Sequence, residues 1–471
     1  MADYVPLEDA ERIKGGPKQE PVGADKQHQP PVFSDEALAL RFAERHSSDL
    51  RFVAAWNRWL RWDGGRWRFD VTLRAYDLAR AICREAASEC NKPKIAAAIA
   101  SAKTVTAVER LARADRRIAA TVEQWDSNPW ALNTPDGVID LQTGKTCPHR
   151  AEDYITQVTA VAPKRGDCPI FVAFLDRITY GDAELVSYLQ RVLGYALTGS
   201  TKEQALFFAF GTGANGKSVF LSTVSGILAD YHKTAAPETF TISHNDRHLT
   251  EVARLRGARL VSVTETEEGR RWAESRIKQM TGGDVVTANF MRQDPFEFRP
   301  VFKLLVAGNH KPGLRSINEA IRRRFNLIPF TVTIPVDQRD CELADKLKAE
   351  WPEILAWIID GCLEWQKKGL SPPKLVREAT EAYLLAEDTL AAWIDEKCER
   401  DPKAWASSSE LYGSWAGYAV QGGELTGSQK AFSQAIESRG FLRHRMSRAQ
   451  GFYGLRLRPE IDPADHWTVR G

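Results

Sequence analysis

One octapeptide limits the possible folds more than any other stretch. Gly211-Thr212-Gly213-Ala214-Asn215-Gly216-Lys217-Ser218 lies between the apolar run 205–210 and a run in which Phe220, Val224 and Leu228 recur at helical spacing. Three glycines let the backbone turn so that its N–H groups converge. The following helix adds the positive end of its dipole, and together they suit a triphosphate. Lys217 is placed to reach the β- and γ-phosphates, and the Ser218 hydroxyl to hold Mg²⁺. Strand, loop and helix in this order predict a P-loop α/β core. Its ATP would lie against Gly211, Thr212, Gly213, Ala214, Asn215, Gly216, Lys217 and Ser218.

What the phosphates are used for depends on the segments downstream. The apolar run 259–264 leads into Glu265-Thr266-Glu267-Glu268. Carboxylates at the end of a buried strand beside a P-loop can hold Mg²⁺ through water and polarise an attacking water. Glu265, also an expected Mg²⁺ contact, and then Glu267 are the candidates. A third apolar run, 302–307, ends in Gly308-Asn309, and the Asn309 amide suits sensing a γ-phosphate, although a turn-forming asparagine would read the same way. Between these runs, 285–290 and 295–300 flank Met291-Arg292-Gln293-Asp294 and read as a projecting β-hairpin. Arg322-Arg323-Arg324 is either a basic surface or the source of a guanidinium that reaches a neighbouring subunit's nucleotide.

Composition narrows the classes. A chain of 471 residues is too long for one core. A net charge of +2 means that any nucleic-acid site must come from local clustering. Seven cysteines without a C-x-x-C pair point to reduced thiols and no zinc site. No apolar stretch reaches membrane-spanning length and the acidic N-terminus is not a signal sequence, so a cytoplasmic protein of a bacterium or a phage-infected host is expected.

The flanking regions divide by composition. Residues 1–32 are polar and read as a disordered tail; 33–165 read as an α+β domain, 166–200 as a helical collar, 201–335 as the ATPase core and 336–400 as a helical subdomain. Within the α+β domain, Trp59-Leu60-Arg61-Trp62-Asp63-Gly64-Gly65-Arg66-Trp67 predicts two strands joined by a tight turn. Its tryptophans suit either a small packed sheet, the favoured reading, or stacking on bases. Residues 401–471 read as helix, helix and hairpin, a winged helix. Between 425 and 458 the bases Lys430, Arg439, Arg443, Arg445, Arg448, Arg456 and Arg458 face Glu437 alone. That imbalance suits phosphates, with Lys430, Arg443 and Arg445 as DNA contacts and Gln429 and Gln434 as further candidates on the second helix.

Taken together, the P-loop, Thr-Glu-Thr-Glu-Glu-Gly at 264–269, Lys-Gln-Met-Thr-Gly-Gly-Asp at 278–284, the hairpin, Ala-Gly-Asn at 307–309 and Arg-Arg-Phe at 323–325 resemble superfamily 3 helicases. The resemblance is to the phage/plasmid and poxvirus primase-helicase group. It extends over roughly residues 35–460 and is most specific over 211–330, while 132–156 is similar to the domain that precedes the core in that group. The resemblance implies an ATP-dependent replicative DNA helicase. Such enzymes form a homo-oligomeric ring, usually a hexamer, that moves 3′ to 5′ on single-stranded and forked DNA. It further implies Lys217 and Ser218 as Walker A residues, Glu265 and Glu267 as Walker B acids, and Asn309 as the sensor. The finger would be Arg323 or Arg324, with Arg324 first, and Lys278 and Arg292 would touch DNA. No primase or zinc module is visible, so priming would fall to a separate partner. The rival expectations are an origin-binding initiator whose ATPase remodels DNA and a DNA-independent assembly ATPase.

Overall fold

The structure, a computed structural model, describes residues 29–242, 248–264, 270–290, 294–314, 317–422, 426, 428–446 and 449–459. The expected tail therefore lies, through residue 28, outside the described residues. So do Glu265, Glu267, Arg292 and Arg448. The chain forms two compact units: one comprises the residues up to Asp63 together with Trp67–Trp125, and the other Gly64–Arg66 with everything from Asp126 onward.

In the first unit, a four-stranded sheet in the order Trp67–Phe69, Arg58–Trp62, Leu50–Val53, Ala119–Ala120 packs with the helices Asp35–His46, Arg74–Glu89, Pro93–Ile99 and Ala102–Ala112. The tryptophan-rich stretch forms the expected hairpin, pairing Leu60 with Phe69 and Trp62 with Trp67. Trp59 and Trp67 are buried, and the Trp59 indole donates to Glu109 (2.5 Å). These aromatics are core, as alternation on a half-buried sheet requires.

The second unit is mixed α/β around a five-stranded sheet. Its order is Phe325–Pro329, Leu206–Phe210, Lys303–Gly308, Leu260–Thr264, His232–Thr234, and all neighbours are parallel. Near-continuous apolar strands are what a parallel sheet covered on both faces needs. Alternate residues feed two cores: Phe207, Ala209, Leu305 and Ile328 pack on one face, and Leu206, Phe208, Leu304 and Val306 on the other.

Three expected boundaries move, each because of who shares a core. The segment expected to close an N-terminal domain at 165 belongs instead to the second unit. Its strands Ala131–Thr134, Gly137–Asp140 and Lys145–Cys147 send Leu132 and Ile139, with Leu141, into the core of Pro169–Thr179, Ala183–Leu197 and Trp351–Lys368. The collar and the helical subdomain are likewise one packing unit. Helices Ala183–Leu197 and Trp351–Lys368 cross so closely that a Cβ on Gly194 would lie 2.1 Å from the Cys362 nitrogen. The C-terminal module has its own core but begins before 401, because Leu390, Trp393 and Ile394 of helix Thr389–Lys397 pack with Leu411, Phe432 and Phe452. It comprises the helices Thr389–Lys397, Ser408–Gln421 and Gln429–Ser438 and the antiparallel sheet Trp405–Ser407, Ala449–Tyr453, Leu442–Met446. Ser407 and Ser428 cap the second and third helices through their side chains.

Candidate functional site

The site lies beyond the carboxyl ends of the parallel strands, where chain order reverses across Leu206–Phe210, the usual place for a ligand in such a sheet. The loop 211–216 leaves this strand and feeds helix Lys217–Leu228. Two glycines are fixed by close approach. A Cβ at Gly211 would lie 2.1 Å from the Phe330 carbonyl oxygen. Gly216, at φ +82, would drive one to 2.5 Å from Ile178 Cγ2. Gly213, at φ +105, has nothing within 4 Å and faces open space. The loop is therefore pinned at both ends and open in the middle, as a phosphate cradle must be.

Lys217 is only 8% exposed and pairs with no carboxylate among the described residues. Its Nζ donates to the Gly211 carbonyl (2.6 Å), to Asn215 Oδ1 (3.1 Å) and to Asn309 Oδ1 (3.2 Å). Burial holds its pKa below the ordinary lysine value. Asn215 joins loop to sheet, donating through Nδ2 to the Phe330 carbonyl (3.0 Å). Asn309 follows strand Lys303–Gly308, next to the P-loop strand. Thr264, the last residue of strand Leu260–Thr264, also faces the site, so the chain runs directly from it into Glu265. The structure thus brings together Lys217, Asn309 and the loop residues Gly213, Ala214, Asn215 and Gly216 around one cavity of about 960 Å³, with Gly211 and Thr212 outside its lining. Ser218 lines it too, exposed on the first helical turn.

The other wall was not legible as part of a site. It comes from helix Pro169–Thr179, through Ile170, Phe174 and Arg177, and from Ile334, Gln338 and Leu343. Ile334 N–H donates to the Ala214 carbonyl (2.8 Å), and Arg177 spans the wall to Gln338 Oε1 (2.7 Å). The amphipathic pattern marks the helix as packing surface, and nothing in its periodicity shows that one end abuts a loop some forty residues on.

The three arginines separate. Arg322 pairs with Glu381. Arg324, the first choice for the finger, is 5% exposed, donating from Nη1 to the Ala320 carbonyl (2.6 Å) and from Nε to Thr281 Oγ1 (3.2 Å). An arginine so enclosed has no reach to a second molecule, and burial lowers its pKa. Arg323 is exposed, with one bond to the side chain of Gln204 (3.0 Å). Of the expected DNA contacts, Lys278 is half-buried on helix Glu274–Gly282, and Lys430, Arg443 and Arg445 are exposed on the C-terminal module. The hairpin forms with Val286–Ala288 paired to Phe296–Phe298; its tip, 291–293, lies outside the described residues.

Comparison with known proteins agrees with this layout. Residues 39–180 match the family model described as D5 N terminal like, and residues 209–324 match a family of unknown function, DUF5906. A candidate helicase of Acanthamoeba polyphaga mimivirus is 25% identical over 61% of this chain and 32% of its own length. A candidate helicase of Frog virus 3 is 26% identical over 45% of this chain and 24% of its own, and a candidate primase of African swine fever virus 24% over 60% and 32%. The chain thus spans a third or less of the curated relatives it matches. An apo structure of the NrS-1 C-terminal region aligns over 89% of this chain and 99% of that one at 9% identity, with a TM-score of 0.47. The D5 N terminal like model and the viral relatives together support a D5-like primase-helicase family for this chain.

Proposed function

We propose that this protein is an ATP-dependent DNA helicase that serves replication of a virus, phage or plasmid. In this reading it has an AAA+-like core, a C-terminal winged helix and a homo-oligomeric ring, a hexamer, that moves 3′ to 5′ along single-stranded DNA. The observation that carries the reading is the convergence of the pinned loop, buried Lys217 and Asn309 on one cavity at the carboxyl ends of a parallel sheet. Lys217 exchanges its carbonyl and amide partners for phosphate oxygens, and Asn309, released from Lys217, is left to orient the attacking water. Ser218, with Glu265 following Thr264, would hold Mg²⁺, which neutralises charge on the β- and γ-phosphates. The donor set fits, because a P-loop ion takes most of its oxygens from phosphate and water.

The finger passes from Arg324 to Arg323. Strand Phe325–Pro329 is parallel to Leu206–Phe210 and paired from Leu206 onward, so Arg323 lies at the end of the sheet opposite the loop. Five strand residues are roughly 16 Å, beyond a guanidinium's reach, so only a second copy's nucleotide is accessible to it. Among the described residues no helix is long and apolar enough to cross a membrane; in this reading the protein works in the cytoplasm on forked DNA beside a separate primase.

The deciding measurement is ATP hydrolysis with and without single-stranded DNA, with Lys217→Ala as the control. Stimulation by DNA that disappears in the variant is expected. Hydrolysis indifferent to DNA would instead indicate an assembly ATPase. Sequence-specific duplex binding without strand displacement would indicate an origin-binding initiator.

A further inference from the structure

The C-terminal module has a feature that phosphate binding alone does not explain. Strand Leu442–Met446 is the free edge of its three-stranded sheet, and all five of its residues are exposed. Its register pairs Arg443 with Phe452 and Arg445 with Gln450, while Leu442, His444 and Met446 pair with Tyr453, Gly451 and Ala449. Paired residues share a face. Because Phe452 is buried, the arginines lie at the rim of the core face, and Leu442, His444 and Met446 stand together on the outer face. There Leu442 is 73% exposed and Met446 46%, and the His444 ring packs on Tyr453 with centroids 5.2 Å apart. Natural edge strands are usually blunted by shortness, charge, proline, a bulge or a covering element. This one alternates large apolar side chains with cations.

The charge around it states what would cover it. Glu437 is the only acidic residue between 425 and 458, and Arg443 already engages it (3.2 Å). Lys430 is exposed on the neighbouring helix Gln429–Ser438, and Arg445 has no acidic partner among the described residues. The occupant must therefore be a polyanion that also offers apolar surface. An opened base step in DNA is both, and leucine and methionine are among the side chains that enter such steps.

We propose that Leu442 and Met446 form a wedge that enters the junction of forked DNA and unstacks its last base pair. Arg445 and Lys430 hold the flanking phosphates. The proposal rests on the helicase reading and gives the C-terminal module a part in strand separation itself.

The test uses the full-length protein and a fork with 2-aminopurine in the last base pair of the duplex, without nucleotide. Binding of the wild type should raise the fluorescence several-fold. Leu442→Ser/Met446→Ser should lose most of that rise while keeping fork affinity and DNA-stimulated hydrolysis. Both side chains are exposed, so the variant should fold, which its melting temperature checks. Lys430→Ala/Arg445→Ala should instead weaken fork binding and make it less salt-dependent, by roughly one unit of slope per lost contact. No rise with the wild type, or an equal rise with the serine variant, overturns the wedge. If either result comes with DNA-stimulated hydrolysis, the helicase reading stands without it; if hydrolysis ignores DNA, that reading fails as well. Loss of binding to a protein rather than to the fork would show that the edge serves a protein partner, and would overturn the proposal.

Discussion

Lys217 and Lys303 look alike in isolation and do opposite work. Each is buried, burial lowers the pKa of each, and each Nζ rests on three oxygens. Lys303 sits at the start of the strand whose far end leads to Asn309. Its ammonium meets the carbonyls of Thr198, Ser200 and Val301 and lies 4.8 Å over the Tyr195 ring. Arg259 does the same one strand away, donating to the carbonyls of Leu197 and Ala131 (2.6 Å each). Together they satisfy carbonyls at the buried C-terminal end of helix Ala183–Leu197, where the dipole favours a cation. Lys217 differs in two respects. One of its three acceptors, Asn309 Oδ1, belongs to an exposed side chain that can turn away, and it borders an open cavity. A buried cation held only by fixed carbonyls is structural, whereas one held in part by a replaceable amide beside an open space is poised for an anion.

The contrast breaks most visibly in a pair of alanine variants. Lys217→Ala should reduce ATP hydrolysis to background in a steady-state assay while leaving the thermal midpoint nearly unchanged. Lys303→Ala should do the reverse, losing about 2–4 kcal/mol in urea unfolding through orphaned carbonyls and a cavity, with turnover per folded molecule retained. If Lys303→Ala also abolishes turnover in folded protein, the two ends of the sheet are not separable in this way.

The arginines give the next largest effect. Arg323→Ala should lower kcat about 10³-fold with nucleotide binding and melting temperature preserved. Arg324→Ala, which empties a buried site bonded to Ala320 and Thr281, should cost about 2 kcal/mol of stability. In mixtures, added hydrolytically dead Lys217→Ala should restore no turnover to wild type but should to Arg323→Ala, because its intact Arg323 can serve a neighbour's site. Absence of that rescue would deny that Arg323 acts between copies.

A smaller effect comes from Lys303 alone. With its folded pKa well below 10.5, the unfolded chain binds more protons up to that pH, so stability contributed by this group rises as pH rises toward 10.5. Wild type should therefore gain stability relative to Lys303→Met between neutral and alkaline pH, read from urea midpoints. Parallel curves would mean that the lysine is not held in the way the structure shows.

The same contrast explains what could be read from the chain in advance. The P-loop, its strand and its helix were legible because their residue types are dictated locally, by backbone turns and by apolar periods of two and 3.6. Asn309 could be placed only at a strand end, because its partner lies 92 residues away at Lys217. Arg324 and Arg323 are indistinguishable in sequence; only the packing of Thr281 and Ala320 around Arg324 tells them apart. Arg177 and Gln338 meet across 161 residues with no local signal at all. The displaced boundary at 165 has the same origin, since Leu132, Ile139 and Leu141 look like any small sheet until the helices that cover them are known.

The smallest expected effect is also the most discriminating test of the idea that, within one subunit, the loop end of the sheet serves its own nucleotide while the far end serves folding, with Arg323 there acting only on a second copy. His232 opens the edge strand and pairs in register with Leu260, at the same end of the sheet as Lys303 and Arg259. Burial, with help from the neighbouring Lys233, lowers its pKa from 6.5 to about 4, and its Nε2 lies 2.8 Å from Ser262 Oγ. Between these values the unfolded chain takes a proton that the folded one refuses. Stability from this group is therefore present above about pH 6.5, is lost as pH falls, and stops falling near 4. Allowing for partial exposure, the loss is on the order of 2 kcal/mol. His232→Gln keeps a donor for Ser262 without the titration, so its urea midpoint should fall less steeply between pH 6.5 and 4. Turnover per folded molecule should follow the same pH course in both proteins. A turnover profile that shifts with this substitution would mean that the two ends of the sheet communicate through strand Leu260–Thr264, and the division of labour drawn from Lys217 and Lys303 would have to be abandoned.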